Sequence, residues 1–200
     1  MALCTAAEVR AYANAGAAAD DTLIASIIGR VDAAFARWCG LPPTDSGTQT
    51  MESATYTMYV DARMYQDPTR PASLFLPVNP LVSVTSVHID PERDYDAATL
   101  QASSTYDLDL YAGAIVLRDD AVDSWSTAVR ANKVVAVCGY ATVPDDLAEA
   151  AIIQAAHIFT NKGTAGRRSK STGQNSVTAD RLSILDEVKE RLAHFRQVVP

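Results

Sequence analysis

Val134-Val135-Ala136-Val137-Cys138-Gly139-Tyr140-Ala141-Thr142-Val143-Pro144-Asp145-Asp146-Leu147 is the stretch on which the fold turns. Its short apolar run, rich in β-branched residues, reads as a buried strand. Gly139-Tyr140 reads as a turn. Pro144 reads as the first residue of a helix, where a missing N–H leaves no bond unmade. Asp145 and Asp146 fall in the first turn, where the helix dipole favours negative charge. The helix then continues through Ala148, Ala150, Ala151, Ile152, Ile153, Ala155, Ala156, Ile158 and Phe159, apolar on nearly all sides. A helix with so little polar face is either enclosed by its own domain or pressed against another subunit.

Upstream of this joint lies a β region, and before it a helical one. Thr5-Ala6-Ala7-Glu8 is a capping box, with the Thr5 hydroxyl placed to accept from the Glu8 N–H and the Glu8 carboxylate placed to reach back. A short helix runs to about Asn14, and Gly16 breaks it. Asp20 or Asp21 caps a second helix, whose residues Leu23, Ile24, Ile27, Ile28, Val31, Ala34, Phe35 and Trp38 form one stripe at steps of three and four. Gly40 ends it, and Pro42 and Pro43 prevent its continuation.

From residue 49 to 140 the composition is that of strands. Thr55 to Val60 and Ser73 to Leu76 are short runs, the second stopped by Pro77 and Pro80. Leu81 to Ile89 alternates, with Leu81, Ser83, Thr85, Val87 and Ile89 on one side and Val82, Val84, Ser86 and His88 on the other. Tyr106 to Tyr111 alternates until its last residue, so one face should meet a core and one water. Ala112-Gly113 turns, and Ala114 to Arg118 returns as a hairpin.

After the joint the chain is helical again to its end. The last helix is expected from about Asp180 to Phe195, with Leu182, Leu185, Val188, Leu192 and Phe195 as its stripe. The fold class is therefore α+β: a helical bundle of N- and C-terminal helices with an inserted small antiparallel sheet or sandwich. The parts are residues 1–48, 49–142 and 143–200, the last interrupted by a basic Gly/Ser/Thr-rich loop, 161–176, expected to be mobile when unbound.

The 200 residues are 48% apolar and 20% charged, enough for a substantial core. No run of 18 apolar residues occurs, so no transmembrane helix is expected, and the N-terminus carries no secretory pattern. Cys4, Cys39 and Cys138 are odd in number and scattered, which suits a reducing compartment and buried thiols better than a disulfide framework.

The net charge of −7 is unevenly placed. Residues 90 to 123 carry nine acids (Asp90, Glu92, Asp94, Asp96, Asp107, Asp109, Asp119, Asp120, Asp123) against two bases, Arg93 and Arg118. Residues 161 to 176 carry four bases (Lys162, Arg167, Arg168, Lys170) and no acid. A general nucleic-acid binder needs a broad basic face, which this chain lacks.

The search for chemistry excludes more than it finds. His88, His157 and His194 are isolated, without the spacing of a zinc site. There is no nucleophile elbow and no dinucleotide fingerprint. Lys162 to Ser169 has no Gly-Lys-Ser/Thr and follows a helix, not a strand, so it is no phosphate loop. Asp90, Glu92, Asp94 and Asp96 alternate like calcium ligands. An EF-hand loop needs Gly at its sixth position and Glu at its twelfth, and here Tyr95 and Gln101 stand there; a solvated acidic loop is the better reading. Asp107 and Asp109 have no neighbour that would separate their pKa values for acid–base work. No cofactor is implied. The basic loop is either a solvated connection or a segment that orders against an acidic partner or a nucleic-acid backbone. Leu147, Ile152, Ile153 and Phe159, with Leu182, Leu185, Val188 and Leu192 of the last helix, are candidates for helix packing or docking.

In their order, five passages resemble the head–tail connector (adaptor, or head-completion) proteins of tailed bacteriophages, in the branch with a β insertion between helical ends. They are Thr5-x-x-Glu8-Val9; Asp20-Asp21-x-Leu23-Ile24-x-x-Ile27-Ile28 through Gly40; Leu76-Pro77-Val78-Asn79-Pro80 through Val87; Tyr106-x-Leu108-Asp109 with Gly113-x-Ile115-x-Leu117; and Gly139-Tyr140-x-x-Val143-Pro144-x-x-Leu147-x-x-Ala150. Together they span most of the chain. The sequence departs from the family at Phe159-Thr160-Asn161-Lys162-Gly163 and at Ile184-Leu185-Asp186-Glu187-Val188. Details of docking by the C-terminal segment are therefore not carried over.

The resemblance implies a non-enzymatic ring protein of twelve copies in the virion neck, assembled in the host cytoplasm. Its partners would be other copies of itself, the portal protein, and a tail, stopper or tail-terminator protein. Packaged DNA would pass through its channel without sequence specificity, and no membrane is involved. Asp90, Glu92, Asp94, Asp96, Asp119, Asp120 and Asp123 would line an acidic channel or surface, along which DNA slides because no phosphate is paired. Lys162, Arg167, Arg168 and Lys170 would form a partner-contact loop. Alternatives are a tail-end or tail-completion virion protein and, further off, a nucleic-acid-binding module.

Overall fold

The structure, a computed structural model, describes residues 2–15, 20–62, 66–67, 70–118, 124–162, 170–172, 175–177 and 183–197. The chain divides into two units: Met1–Cys39 with Val143–Arg196, and Gly40–Thr142 with Gln197–Pro200. The fold is α+β, with helices gathered in the first unit and two small antiparallel sheets in the second. Residues 40–48, grouped with the N-terminal helices in the sequence reading, belong to the second unit.

In the helical unit, α1 (Ala6–Tyr12) is opened by the capping box the sequence predicts. The Glu8 N–H donates to Thr5 Oγ1 at 3.2 Å, and the Thr5 N–H donates to Glu8 Oε2 at 2.7 Å. The backbone hydrogen bond from Thr5 holds the Glu8 carboxyl below its usual range. Helix α2 (Asp21–Cys39) buries Ile24, Ile27, Ile28, Val31 and Phe35. Each side chain of this size contributes about 1.5–3 kcal/mol when withdrawn from water. Leu23, placed on the same stripe by periodicity, is exposed, and Trp38 is half-buried with the Arg196 guanidinium 5.3 Å from its ring centroid.

Helix α3 (Asp145–Thr160) packs against α1 and α2 and against α4 (Asp186–Leu192). Enclosure by its own unit accounts for most of its apolar surface: Leu147, Ala150, Ala151 and Ala155 are fully buried. Pro144 stands one residue earlier than expected, as the N-cap with φ −61° and ψ 145°. Its carbonyl accepts the N–H groups of Leu147 and Ala148 at 3.0 and 2.9 Å.

The last helix is shorter than its apolar pattern. It begins at Asp186, not near Asp180, and gives way to a 3₁₀ turn at Ala193–Phe195. Leu185 is extended (ψ 146°), so the regular bonds start only with Asp186 and Glu187 in the first turn. Leu182 lies outside the described residues. Within the stretch read as a mobile loop, β8 (Lys170–Thr172) and β9 (Asn175–Val177) pair antiparallel, so that stretch is not wholly without regular structure.

In the β unit, strands β1 (Ala54–Val60), β4 (Leu81–Ile89) and β7 (Asn132–Cys138) form a sheet in the order β1-β7-β4. Strands β2 (Gln66–Asp67), β3 (Arg70–Phe75), β5 (Tyr106–Asp109) and β6 (Ala114–Leu117) form another in the order β2-β3-β6-β5. Strand β7 alternates cleanly, with Val134, Ala136 and Cys138 buried.

Strand β4 does not keep its alternation. Its register against β7 shifts between Leu81 and Ser83 and again between Val84 and Ser86. Each bulge inserts a residue and returns the next to the opposite face. Leu81, Val84 and Val87 therefore oppose Cys138, Ala136 and Val134, on the buried side of β7. Ser83, Ser86 and His88 oppose Val137, Val135 and Lys133 on the other face, and Thr85 is exposed at the second bulge. The expected division, with Leu81, Ser83, Thr85, Val87 and Ile89 on one side and Val82, Val84, Ser86 and His88 on the other, is corrected: Val84 shares the side of Leu81 and Val87, and Ser83 that of Ser86 and His88.

The joint itself is fixed by backbone. Gly139 has φ +105°, and a Cβ there would stand 2.3 Å from the Glu52 carbonyl oxygen. Its N–H donates to Pro80 O at 2.8 Å, while beside it the Tyr140 N–H donates to Met51 O at 3.0 Å and the Ser53 N–H to Tyr140 O at 3.1 Å. Only glycine fits between those strands.

Candidate functional site

The acidic series does not form a uniform charged surface. Asp90 is 3% exposed. Its carboxylate accepts the Tyr95 N–H at 2.7 Å and the Glu92 N–H at 2.9 Å, and these bonds, that from Tyr95 above all, hold its pKa below the usual value. Asp90 is thus a loop organiser and is removed from the candidate channel set. It stabilises a turn in which Arg93 and Tyr95 take φ of +70° and +50°. Glu92, Asp94 and Asp96 project from this turn and are exposed. Asp96 also accepts the N–H groups of Ala98 and Thr99 at 3.0 and 3.1 Å. Asp119, Asp120 and Asp123 lie outside the described residues.

On the outer face of the first sheet, Tyr95 covers a cluster the sequence reading missed. Its ring lies 5.5 Å from that of Tyr59 and 6.3 Å from that of His88, and its hydroxyl donates to the Arg130 carbonyl. The Arg130 guanidinium sits 4.4 Å over Tyr59, and the Lys133 ammonium 5.1 Å over Tyr95. These contacts fasten the acidic turn to strands β1 and β7, each worth about 0.5–1 kcal/mol at an exposed site. The partners lie far apart in sequence, so no local spacing announces them.

Of the four bases, Lys162 is engaged at the end of α3. Its Nζ lies 3.1 Å from Asp20 Oδ2 and 4.0 Å over the Phe159 ring. Lys170 pairs with Val177 in the β8–β9 ladder. Arg167 and Arg168 lie outside the described residues.

The helix set is buried for the most part. Leu147, Val188 and Leu192 are inaccessible, Ile153 and Phe159 nearly so, and Ile152 and Leu185 are half-buried. Buried residues of this set serve packing inside the unit and offer nothing to a docking partner. Between them sits Gln154, 2% exposed, the polar exception on the apolar helix. Beside it opens an apolar recess of about 230 Å³ lined by Ile27, Val31, Ala34, Ile158 and Ile184, with Arg30 at its edge.

The largest departure from expectation lies at the β5–β6 turn. Tyr106 is buried, but Leu108 and Leu110, on the alternating face expected to meet a core, are 38% and 49% exposed, and Tyr111, where the alternation ends, is 103% exposed. Strand β5 is the edge of its sheet, and Leu108, although it lies opposite the buried Ile115, stays partly exposed there. Asp107 is tied to Arg118, whose hydrogen-bonding guanidinium holds its carboxyl below the usual range.

The three thiols are buried, and desolvation pushes Cys4 and Cys138 up to about 12 and Cys39 to about 11. Among the described residues no three His, Cys, Asp or Glu side chains gather as a metal site, and no helix is long and apolar enough to cross a membrane.

No protein-family model matches the chain, and no curated protein matches it. Solved structures do. A chain from the neck of an empty gene transfer agent (GTA) particle with C6 symmetry aligns over 96% of this chain and 89% of its own, at 18% identity and a TM-score of 0.57. A chain from the virion of a native GTA particle aligns over the same shares at 18% identity and a TM-score of 0.54. A third, from the neck of a native GTA particle with C12 symmetry, aligns at 15% identity and a TM-score of 0.49. The chain has the fold found in a component of those phage-like particles.

Proposed function

We propose that this protein is a structural component of the neck of a phage-like particle: a head–tail connector whose copies form a ring, twelve in number, between the portal and the tail. The observation that carries this reading is the fold likeness to a GTA neck chain across 96% of the sequence, covering both the helical and the β unit. The five ordered sequence passages support it independently. The protein acts without catalysis, by extending the DNA channel and offering the tail a docking surface.

In this reading Glu92, Asp94 and Asp96 face the channel, where carboxylates repel phosphate and let DNA slide. A neck reconstruction placing that turn on the outer rim removes this part. The basic loop, 161–176, contacts a portal or tail partner. Intact portal binding and infectivity after deletion of Gly163 to Gly173 removes that part.

The test is the mass of the purified protein, alone and mixed with the portal ring of its particle. A ring alone, or a many-copy complex with the portal, supports the reading. A small discrete oligomer that ignores the portal points to a tail-end or tail-completion protein.

A further inference from the structure

Resting on the ring reading above, we infer that neighbouring copies join head to tail by inserting the β5–β6 hairpin tip of one copy into the α2–α3 recess of the next. The knob is Leu108, Leu110 and Tyr111. The recess is lined by Ile27, Val31, Ala34, Ile158 and Ile184.

The tip is both apolar and held. Tyr111 is fully exposed, with Leu110 half-exposed beside it. The turn closes through the Ala112 N–H to Asp109 Oδ1 at 2.9 Å and the Leu76 N–H to Gly113 O at 2.9 Å. Gly113, at φ +66°, lies so close to Asn79 that a Cβ would meet its amide oxygen at 1.6 Å. Gln197 grips Asn79 from both sides, accepting its N–H at 2.9 Å and donating to its carbonyl at 2.8 Å. A knob fixed in this way loses little conformational freedom on docking.

The recess matches it in size and charge. A dry cavity of about 150 Å³ holds a benzene ring, so 230 Å³ accommodates the Tyr111 ring with its flank. The recess floor exposes no unbonded amide, because both ends of the Gln154 side chain are hydrogen-bonded. At the rim, Arg30 donates Nε to Ser26 O at 3.2 Å and has no carboxylate partner among the described residues. Asp109, beside the knob, accepts only from its own turn in the same set. Asp109 of one copy and Arg30 of the next supply the complementary charges. Two different patches that fit each other make a heterologous contact, the kind that closes into rings.

The experiment measures the assembly state of the full chain by sedimentation velocity, alone and on the portal ring. The variants are Tyr111→Asp, Asp109→Arg, Arg30→Glu and the double exchange Asp109→Arg/Arg30→Glu. All alter exposed positions, and an unchanged thermal melt certifies the fold of each. The expected result is loss of the ring in each single variant, each contact weakening association tenfold or more, and recovery in the double exchange. Rings that persist in Tyr111→Asp, or a double exchange no better than the single variants, overturn this interface while leaving the ring reading intact. A wild-type chain that self-associates neither alone nor on the portal overturns both.

Discussion

Gln154 and Leu185 are joined by a part-buried hydrogen bond: the Leu185 N–H donates to Gln154 Oε1 at 2.9 Å, while Gln154 Nε2 donates to Ser183 O at 3.2 Å. One side-chain amide from the middle of α3 thereby satisfies two backbone groups of the segment that enters α4. It fixes where the last helix starts, 31 residues further along the chain.

Replacing Gln154 by Leu takes from the Leu185 N–H its amide partner. A buried donor or acceptor left unmade costs about 1–3 kcal/mol. Urea unfolding of Gln154→Leu is expected to show a loss of about that size, as a lower midpoint at unchanged slope. A midpoint equal to wild type would mean that water replaces the amide without penalty.

Gly139→Ala should be worse tolerated than its size suggests. The positive φ alone costs a side chain about 1–3 kcal/mol. The added methyl must also displace the Glu52 carbonyl at 2.3 Å, which is backbone and cannot rotate away. The expected outcome is a melting temperature lowered by several degrees or insoluble expression; an unchanged melt refutes the close packing of this joint.

Asp90 gives the acidic turn a pH dependence. Its folded-state pKa lies below the ordinary 3.8. Its stabilisation is therefore fully present above the unfolded value and is lost as pH falls through the folded one. Asp90→Asn should be less stable than wild type at neutral pH, and the gap should narrow as the pH drops below about 4. A gap independent of pH from 7 to 2 would show that the carboxylate charge is not what organises the turn.

The three thiols should be silent in the native protein. With their pKa values pushed up to between about 11 and 12 by burial, almost no thiolate exists at pH 8. Ellman's reagent is expected to find no fast-reacting thiol in the folded chain and all three after denaturation. A thiol that reacts at the rate of free cysteine before unfolding contradicts its placement.

Much of the fold was legible because it is written in local order. The Thr5–Glu8 box, the core stripe of α2, the alternation of β7 and the return from Tyr106 to Leu117 all depend on neighbours within a turn or a hairpin. The α+β class follows from such segments. The errors share a cause. Strand β4 carries a plausible alternation, but two bulges against β7 reassign Val84 inward and Thr85 outward. The apolar character of Leu108, Leu110 and Tyr111 is plain, yet their exposure depends on what packs at the end of the β5–β6 hairpin.

The candidate surfaces were less legible still. Asp90 and Glu92 look alike in a row of acids, and only folding turns one inward onto the Tyr95 N–H and leaves the other in water. The sequence by itself determined most of the helices and strands and their order, because periodicity, caps and turn residues act over a few positions of chain. Tertiary structure decided which apolar residues became core and which became surface, where α4 begins and what Gln154 holds. Burial is set by what packs against a side chain, and those partners lie tens of residues away.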